Sequence, residues 1–503
     1  MELNLHKQSV ASCELMLDTA AEHSIECDML LPDYCPDIVR VLCCRVDTSA
    51  VDCRISKGVF VVEGTAAVEI CYMAEVGGVR RCSCKIPFIK SFDIKRQPQK
   101  PIWSVNARQG HINCRAASRR RLDVRGAVVI TAKVYDTAGH QAVSKAEGMG
   151  VQLCKSEKPA VEIANQLYRQ LNSVEMLTLP NGKTAAEIVS MRCTPTVADA
   201  RVMASRILLK GEMNVHLLYK PELDSALLET ADYNLPISYV LDADDLSDDM
   251  RCEAAMQCIS AECIIDEDQQ EMRFESQLLA MVRLYRPIVL TGAVDSFSTL
   301  YPTQNMVTAL KVPKNFSALA ERSAVKDRIE LPQGFERLID LRADVTESAT
   351  EHQGDEAVIS AKIKFTGIMQ AEDTPADAFS HVCDAKLTLP LKCNSCELLI
   401  NPTAAAAYGV ITDGMLELCC DFIVSGAVIE WENQNFITDL EVDISTPRQS
   451  DPTLGMVIYY AEAGERVWDI AKRFGALPDS IIADNALKSD IIESDMPLII
   501  PAV

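Results

Sequence analysis

The chain has 503 residues, a length of three or four ordinary domains, and its 49 Lys+Arg against 72 Asp+Glu give a formal charge of −23. That balance argues against a protein built to grip nucleic acid or an anionic membrane. A composition of 48% hydrophobic and 24% charged residues excludes wholesale disorder and collagen-like sequence, and 5% aromatics is low for a cleft that stacks sugars.

The acidity is uneven. Residues 1–150 hold 20 Lys+Arg against 17 Asp+Glu, so the head is nearly neutral and the rest strongly acidic. Two readings stand: surfaces with different partners, or acidic loops that only keep a long chain in solution. Eleven of the 20 cysteines precede residue 155. The start has no basic stretch followed by an apolar run, so no secretory signal is expected. No apolar run approaches the ~20 residues that span a bilayer, so no membrane insertion is expected either. These features predict a reducing cytosolic compartment, with free thiols acting as small core hydrophobes and no structural metal.

Leu-Pro recurs at 31–32, 179–180 and 331–332, each time followed by an apolar stretch. A β-patterned segment then reaches Gly64, Gly211 and Gly367, and a strand-like run closes at Pro87, Pro236 and Pro390. Four markers at similar spacing predict three tandem units of roughly 150 residues. Within them the apolar period is two: Met213, Val215, Leu217 and Tyr219 alternate with polar neighbours, as do Ile359, Ala361, Ile363 and Phe365. Such alternation predicts half-buried antiparallel strands, and two strand groups per unit predict β-sandwich-like modules at 1–155, 156–305 and 306–443. The fold class is therefore mainly β.

Residues 444–456, polar with Pro447 and Pro452, read as a linker. The remaining residues, 457–503, change character. Val457 to Tyr460 predicts a strand, and Val467, Ile470, Ala471 and Phe474 share one face of a helix. Gly475 sits where a left-handed cap belongs, Pro478 opens a second helix, and Leu498 to Pro501 closes with a strand. The tail is a small βααβ module.

Tyr460, Gly464, Trp468-Asp469-Ile470-Ala471, Phe474-Gly475, Asp484-Asn485-Ala486-Leu487 and Leu498-Ile499-Ile500-Pro501 together resemble a LysM domain. The preceding units resemble the SPOCS modules of spore-forming Firmicutes at Asp37-Ile38, Gly64-Thr65, Pro87-Phe88 and Asp295-Ser296-Phe297-Ser298-Thr299. Tandem SPOCS modules ending in one LysM are similar to a family of spore-coat morphogenetic proteins. That resemblance implies a scaffold on the mother-cell side of the forespore whose LysM recruits the coat-basement morphogenetic ATPase. The alternative is a peptidoglycan-binding LysM protein of the wall or cortex. Where the LysM family carries an acid and a hydroxyl on the glycan rim, this chain has Glu465-Arg466, which puts sugar binding in doubt. The rim predicted to bind a protein partner is Glu465, Arg466 and Asp469, with Trp468 either joining it or packing in the core.

Other candidates point away from chemistry. Gly182-Lys183-Thr184 lacks the first glycine of a phosphate loop, which would fall at Leu177. Asp242 to Asp249 has Ser247 where a calcium loop needs glycine. Cys393-x-x-Cys396 and Cys82-x-Cys84 lack a second ligand pair for zinc. His216 lies on the polar face of an alternating strand and is expected to face solvent. Arg119-Arg120-Arg121, with Arg115 and Arg125, reads as a loop entry or a dock for an acidic partner. No catalytic residue and no cofactor is expected.

Overall fold

The structure, a computed structural model, describes residues 3–76, 78–203, 205–223, 227–331, 335–371, 374–391, 395–448 and 455–501. Strand makes up 77% of it and helix 4%, the mainly β architecture that a period of two dictates. No helix among the described residues is long and apolar enough to cross a membrane.

Eight strands come first: β1 (Asn4–Val10), β2 (Glu14–Leu30), β3 (Ile38–Ser56), β4 (Val59–Ala74), β5 (Val79–Asp93), β6 (Pro101–Ser118), β7 (Arg121–Asp136) and β8 (His140–Glu147). They form the sheets β2-β7-β6 and β3-β4-β5, while β1 pairs with β8 alone. Next are β9 (Val151–Thr178), β10 (Glu187–Met203), β11 (Arg206–Lys220), β12 (Glu229–Asp242), β13 (Arg251–Ile265) and β14 (Glu271–Ser298). Their sheets are β9-β14-β13 and β10-β11-β12. Then come β15 (Thr303–Glu330), β16 (Arg337–Gln353), β17 (Glu356–Ala371), β18 (Thr374–Pro390), β19 (Cys396–Thr412) and β20 (Met415–Val442), in the orders β15-β20-β19 and β16-β17-β18. One strand order thus occurs three times. The predicted divisions at 155/156 and 305/306 fall inside β9 and β15; the turns lie at 148–150 and 299–302.

Each pair of three-stranded sheets encloses an apolar core. Phe60, Val62, Ala66, Val68, Ile70 and Tyr72 of β4 all turn to the first core. Ile207, Leu209, Met213, Val215, Leu217 and Tyr219 of β11 do so in the second, and Ile359, Ile363 and Phe365 of β17 in the third. Full burial of each large side chain contributes about 1.5–3 kcal/mol. Gly64 and Gly211 hold matching places, since the next residue pairs with Pro87 in one case and Pro236 in the other. Gly367 and Pro390 do not match them: Gly367 pairs with Phe379, and Pro390 pairs with Glu356 at the start of β17. Pro87 and Pro236 also sit within strands rather than ending them. β5 and β12 are edge strands, where a missing N–H costs no ladder bond.

The long ribbons bury their second faces on one another. Tyr135, Tyr285, Phe316 and Trp431 meet in one cluster, and Cys43, Cys71, Val189, Leu218, Ile339 and Ile368 in another, each drawing on all three sandwiches.

The tail folds as β21 (Met456–Ala461), α1 (Val467–Phe474), α2 (Pro478–Asp484) and β22 (Met496–Pro501), with β21 antiparallel to β22. Gly475 caps α1 at φ 69°, and Pro478 opens α2. Val467, Ile470 and Ala471 are buried as the helical period requires, but Phe474 is 37% exposed and rests against Tyr459.

Among the described residues, eighteen cysteines are free thiols and Cys396 is disulfide-bonded, a departure from the free-thiol expectation for Cys393-x-x-Cys396. Cys393 lies outside the described residues. Denatured, unreduced protein should therefore titrate about eighteen thiols. A count far below that, without alkylation losses, would contradict this arrangement.

Candidate functional site

The rim nominated by the sequence lies where β21 turns into α1. Gly464 takes φ 95°, which lets the chain reverse before the helix. Glu465 folds back on this turn: its carboxylate accepts from the Glu462 amide at 2.9 Å and the Tyr459 hydroxyl at 2.8 Å. Those bonds, the amide first, hold its carboxyl below the usual range. Arg466 and Asp469 are exposed beside it, with the Arg466 guanidinium 3.7 Å from the Cys154 sulfur.

Trp468 goes elsewhere. It is 9% exposed, its ring meets Phe297 of β14 edge-on at 5.0 Å, and its indole N–H donates to Asp295 Oδ2 at 2.8 Å. Lys472, one helical turn on, donates to both Asp295 oxygens at 2.7 and 2.8 Å. Burial pushes the Asp295 carboxyl up, but the Lys472 and Trp468 bonds outweigh it and the carboxyl stays low. A register shift between Ala293 and Asp295 aims this side chain at the tail, as β-bulges do. The segment before the tail is also tied down, the Arg448 amide donating to Leu300 O at 2.8 Å. The structure therefore gathers Glu465, Arg466 and Asp469 at one end of the tail and gives Trp468 to the contact with the body. Sequence reasoning missed Asp295 and Phe297 as the socket, although the run Asp295 to Thr299 had stood out.

The second polar site lies where the three sandwiches meet. Arg45, Arg192 and Arg342 come from β3, β10 and β16, at matching positions in the three strand orders. Arg45 Nη2 donates to Asp340 Oδ2 at 2.6 Å, and His216 shares the other oxygen at 2.9 Å. His216 Nδ1 lies 2.6 Å from Asp232. Arg342 pairs with Asp47 and Asp344, and Arg192 donates to the Ala343 carbonyl at 3.0 Å. A cavity of about 320 Å³ opens here between Arg45, Arg192, His216, Tyr233, Asp340 and Tyr408. Burial opposes charge on His216, but the bonds to Asp232 and Asp340 win and bring its pKa to about 9. His216 is thus not solvent-facing: Asp340 of β16, from the third sandwich, lies against its ring, so alternation no longer means water at this position. The three arginines are spaced about 150 residues apart, a period visible in the sequence but not applied to charges.

The other candidates resolve locally. Arg120 donates to Asp37 at 3.0 Å and to the Pro32 carbonyl at 2.8 Å, Arg121 pairs with Asp28, and Arg115 with Asp123. Lys183 lies 2.7 Å from Glu229, next to a 3-10 turn at Pro180–Gly182. Among the described residues, no group of three or more His, Cys, Asp or Glu is placed to hold a metal ion.

Residues 184–265 match the SPOCS domain of SipL. The match spans β10 to β13 and so contains Arg192, His216 and Asp232 of the polar junction. It supports a SipL-like protein and a sporulation-related role. No curated protein and no solved structure matches the chain.

Proposed function

We propose that the chain is a non-enzymatic scaffold of spore-coat assembly: three SPOCS-like units followed by a LysM-like tail that docks the coat-basement morphogenetic ATPase. Its place would be the mother-cell cytoplasm at the forespore surface. The observation that carries this reading is the SPOCS match at residues 184–265, within a strand order that occurs once before and once after it. The βααβ order of the tail, with Gly475 and Pro478 at its helix ends, supports the LysM-like part.

With Trp468 turned inward, the tail offers Arg466 and Asp469 to a partner, and on the outer face of β21 the strand residues Ile458 and Tyr460, 61% and 77% exposed. Arginine and tyrosine anchor protein interfaces well, whereas neutral glycan carries no charge to complement a charged pair. The tail carries four Lys+Arg against eight Asp+Glu, so a basic patch is expected on the ATPase.

The test is capture from sporulating cells by the intact chain and by one ending at Asp443. The intact chain should retain the ATPase and the truncated one should not. Arg466→Ala should weaken capture about tenfold, the loss of a single good anchor. Sedimentation of the intact chain with purified peptidoglycan, together with unchanged ATPase capture by Arg466→Ala and Asp469→Ala, would favour the wall-binding alternative and overturn this reading.

A further inference from the structure

The first sandwich carries a thiol pair that neither the polar junction nor the tail uses. Cys27 lies on β2 and Cys84 on β5, edge strands of different sheets. No ladder joins these strands, so side chains close the gap between the sheets. His23 rests on Phe88, Lys90 donates to the Glu22 carbonyl, and the Cys27 and Cys84 sulfurs lie 3.2 Å apart. Both cysteines are half-buried, packed against the first core yet within reach of a small solute. A disulfide needs about 2.05 Å between sulfurs, so closing this pair takes a side-chain movement of about 1.2 Å.

We propose that Cys27 and Cys84 are a site of oxidative cross-linking, at which a peroxide forms a disulfide tying sheet β2-β7-β6 to sheet β3-β4-β5. With hydrogen peroxide as oxidant, one thiolate attacks a peroxide oxygen and the O–O bond breaks. The sulfur becomes a sulfenic acid, and the departing hydroxide takes the proton that the first thiol released, leaving as water. The second sulfur then attacks the sulfenic sulfur, the S–S bond forms, the S–O bond breaks, and the hydroxyl leaves as water with the second thiol's proton. The two sulfurs lose two electrons and the peroxide gains them. Burial, and after it the contact with Cys27, pushes the Cys84 thiol up to about 12, which keeps Cys84 itself protonated at neutral pH.

The pattern is not confined to one place. Cys44 of β3 contacts Cys114 of β6, and Cys193 of β10 contacts Cys258 of β13, again across the two sheets of one sandwich. Cys27 and Cys84 are 57 positions apart in the chain, so their bond would remove much freedom from the unfolded state.

The test uses the full chain, reduced, desalted and treated with hydrogen peroxide, then alkylated, digested without reduction and mapped by mass. The expected result is a Cys27–Cys84 peptide pair as the first cross-link, two hydrogens lighter than the thiols and reversed by a phosphine reductant. Oxidised protein should also melt at a higher temperature than reduced protein, and Cys27→Ser and Cys84→Ala should each abolish both effects. Because the mapping is done on the unsubstituted chain, it stands even if a variant folds poorly. Recovery of both thiols alkylated, their separate conversion to sulfinic acids, or first pairing of either with Cys35 or Cys82 would overturn the proposal.

Discussion

Asp340→Ala should destabilise the protein by about 3–5 kcal/mol, the cost of removing one partner from a buried ion pair. The Asp340 side chain is 2% exposed and Arg45 is 7% exposed, so water cannot replace the lost carboxylate. Arg45 would keep only Glu69 at 3.9 Å, and the His216 ring would keep only Asp232, whose side chain is 75% exposed. Two cations from different sandwiches would then face each other across the cavity. Asp340→Asn keeps an acceptor for one of them and should cost less. Urea denaturation midpoints decide the matter: a loss below about 1 kcal/mol for Asp340→Ala would mean that the network contributes little beyond packing.

The same site predicts a pH dependence of definite sign. His216 has a folded pKa of about 9, above the ordinary 6.5, so its contribution is complete below about pH 6.5 and is lost as pH rises through about 9. Screening of the exposed Asp232 arm leaves about 2–3 kcal/mol for this effect. Asp340 is shifted the other way, so its contribution holds above the ordinary carboxylate pKa and fails only in strong acid. Stability should therefore decline between pH 6.5 and 9 in the parent chain, and His216→Gln should flatten that decline.

Much of the fold was legible because its sheets have one apolar face. Residues 213–217 of β11 and 357–365 of β17 alternate cleanly, and their buried members are the apolar ones. The tail was legible for a similar reason, since the period of α1 and the caps at Gly475 and Pro478 are local chemistry. Register was not local. Gly367 and Pro390 sit at spacings that mimic Gly64 and Pro87, and only the pairing shows that they occupy other places in the sheet.

The sites were less legible than the fold, because a single strand does not reveal what covers its outer face. His216 and Arg192 look like residues for water, and they become a buried network only when three sandwiches close on them. Trp468 posed the same problem. Its helix already had an apolar face in Val467, Ile470 and Ala471, and the second contact comes from β14, more than 150 residues earlier. Glu465, Arg466 and Asp469 could be placed near one another from the helix alone, but the inward turn of Glu465 depends on Tyr459 across the tail.

Asp295→Ala should loosen the tail from the body while both remain folded. The substitution removes the three hydrogen bonds that reach the tail, one from Trp468 and two from Lys472, along with those from the Ser296 amide and the Asn305 side chain within the body. Charge-assisted bonds are worth about 1.5–3 kcal/mol, and exposure of the Lys472 side chain to 42% places this contact towards the lower end. Even there, the docked-to-undocked ratio would fall about tenfold. Phe297 would still offer its ring edge to Trp468, so packing alone would hold the remainder. Protease cleavage between body and tail should speed up, and Trp468 should gain solvent exposure, read as a red shift against the fixed background of Trp103 and Trp431. Because the Asp295 carboxyl is held low, the parent chain should show the same loosening only as pH falls below the ordinary carboxylate range, and Asp295→Asn should remove that acid response. If Asp295→Ala leaves both cleavage and emission unchanged, the polar contacts do not hold the tail and the Phe297 face alone is the dock. If the tail does loosen, Asp469 should remain available to a partner as before and Arg466 should be freed from its contact with Cys154, so capture should be at least as good.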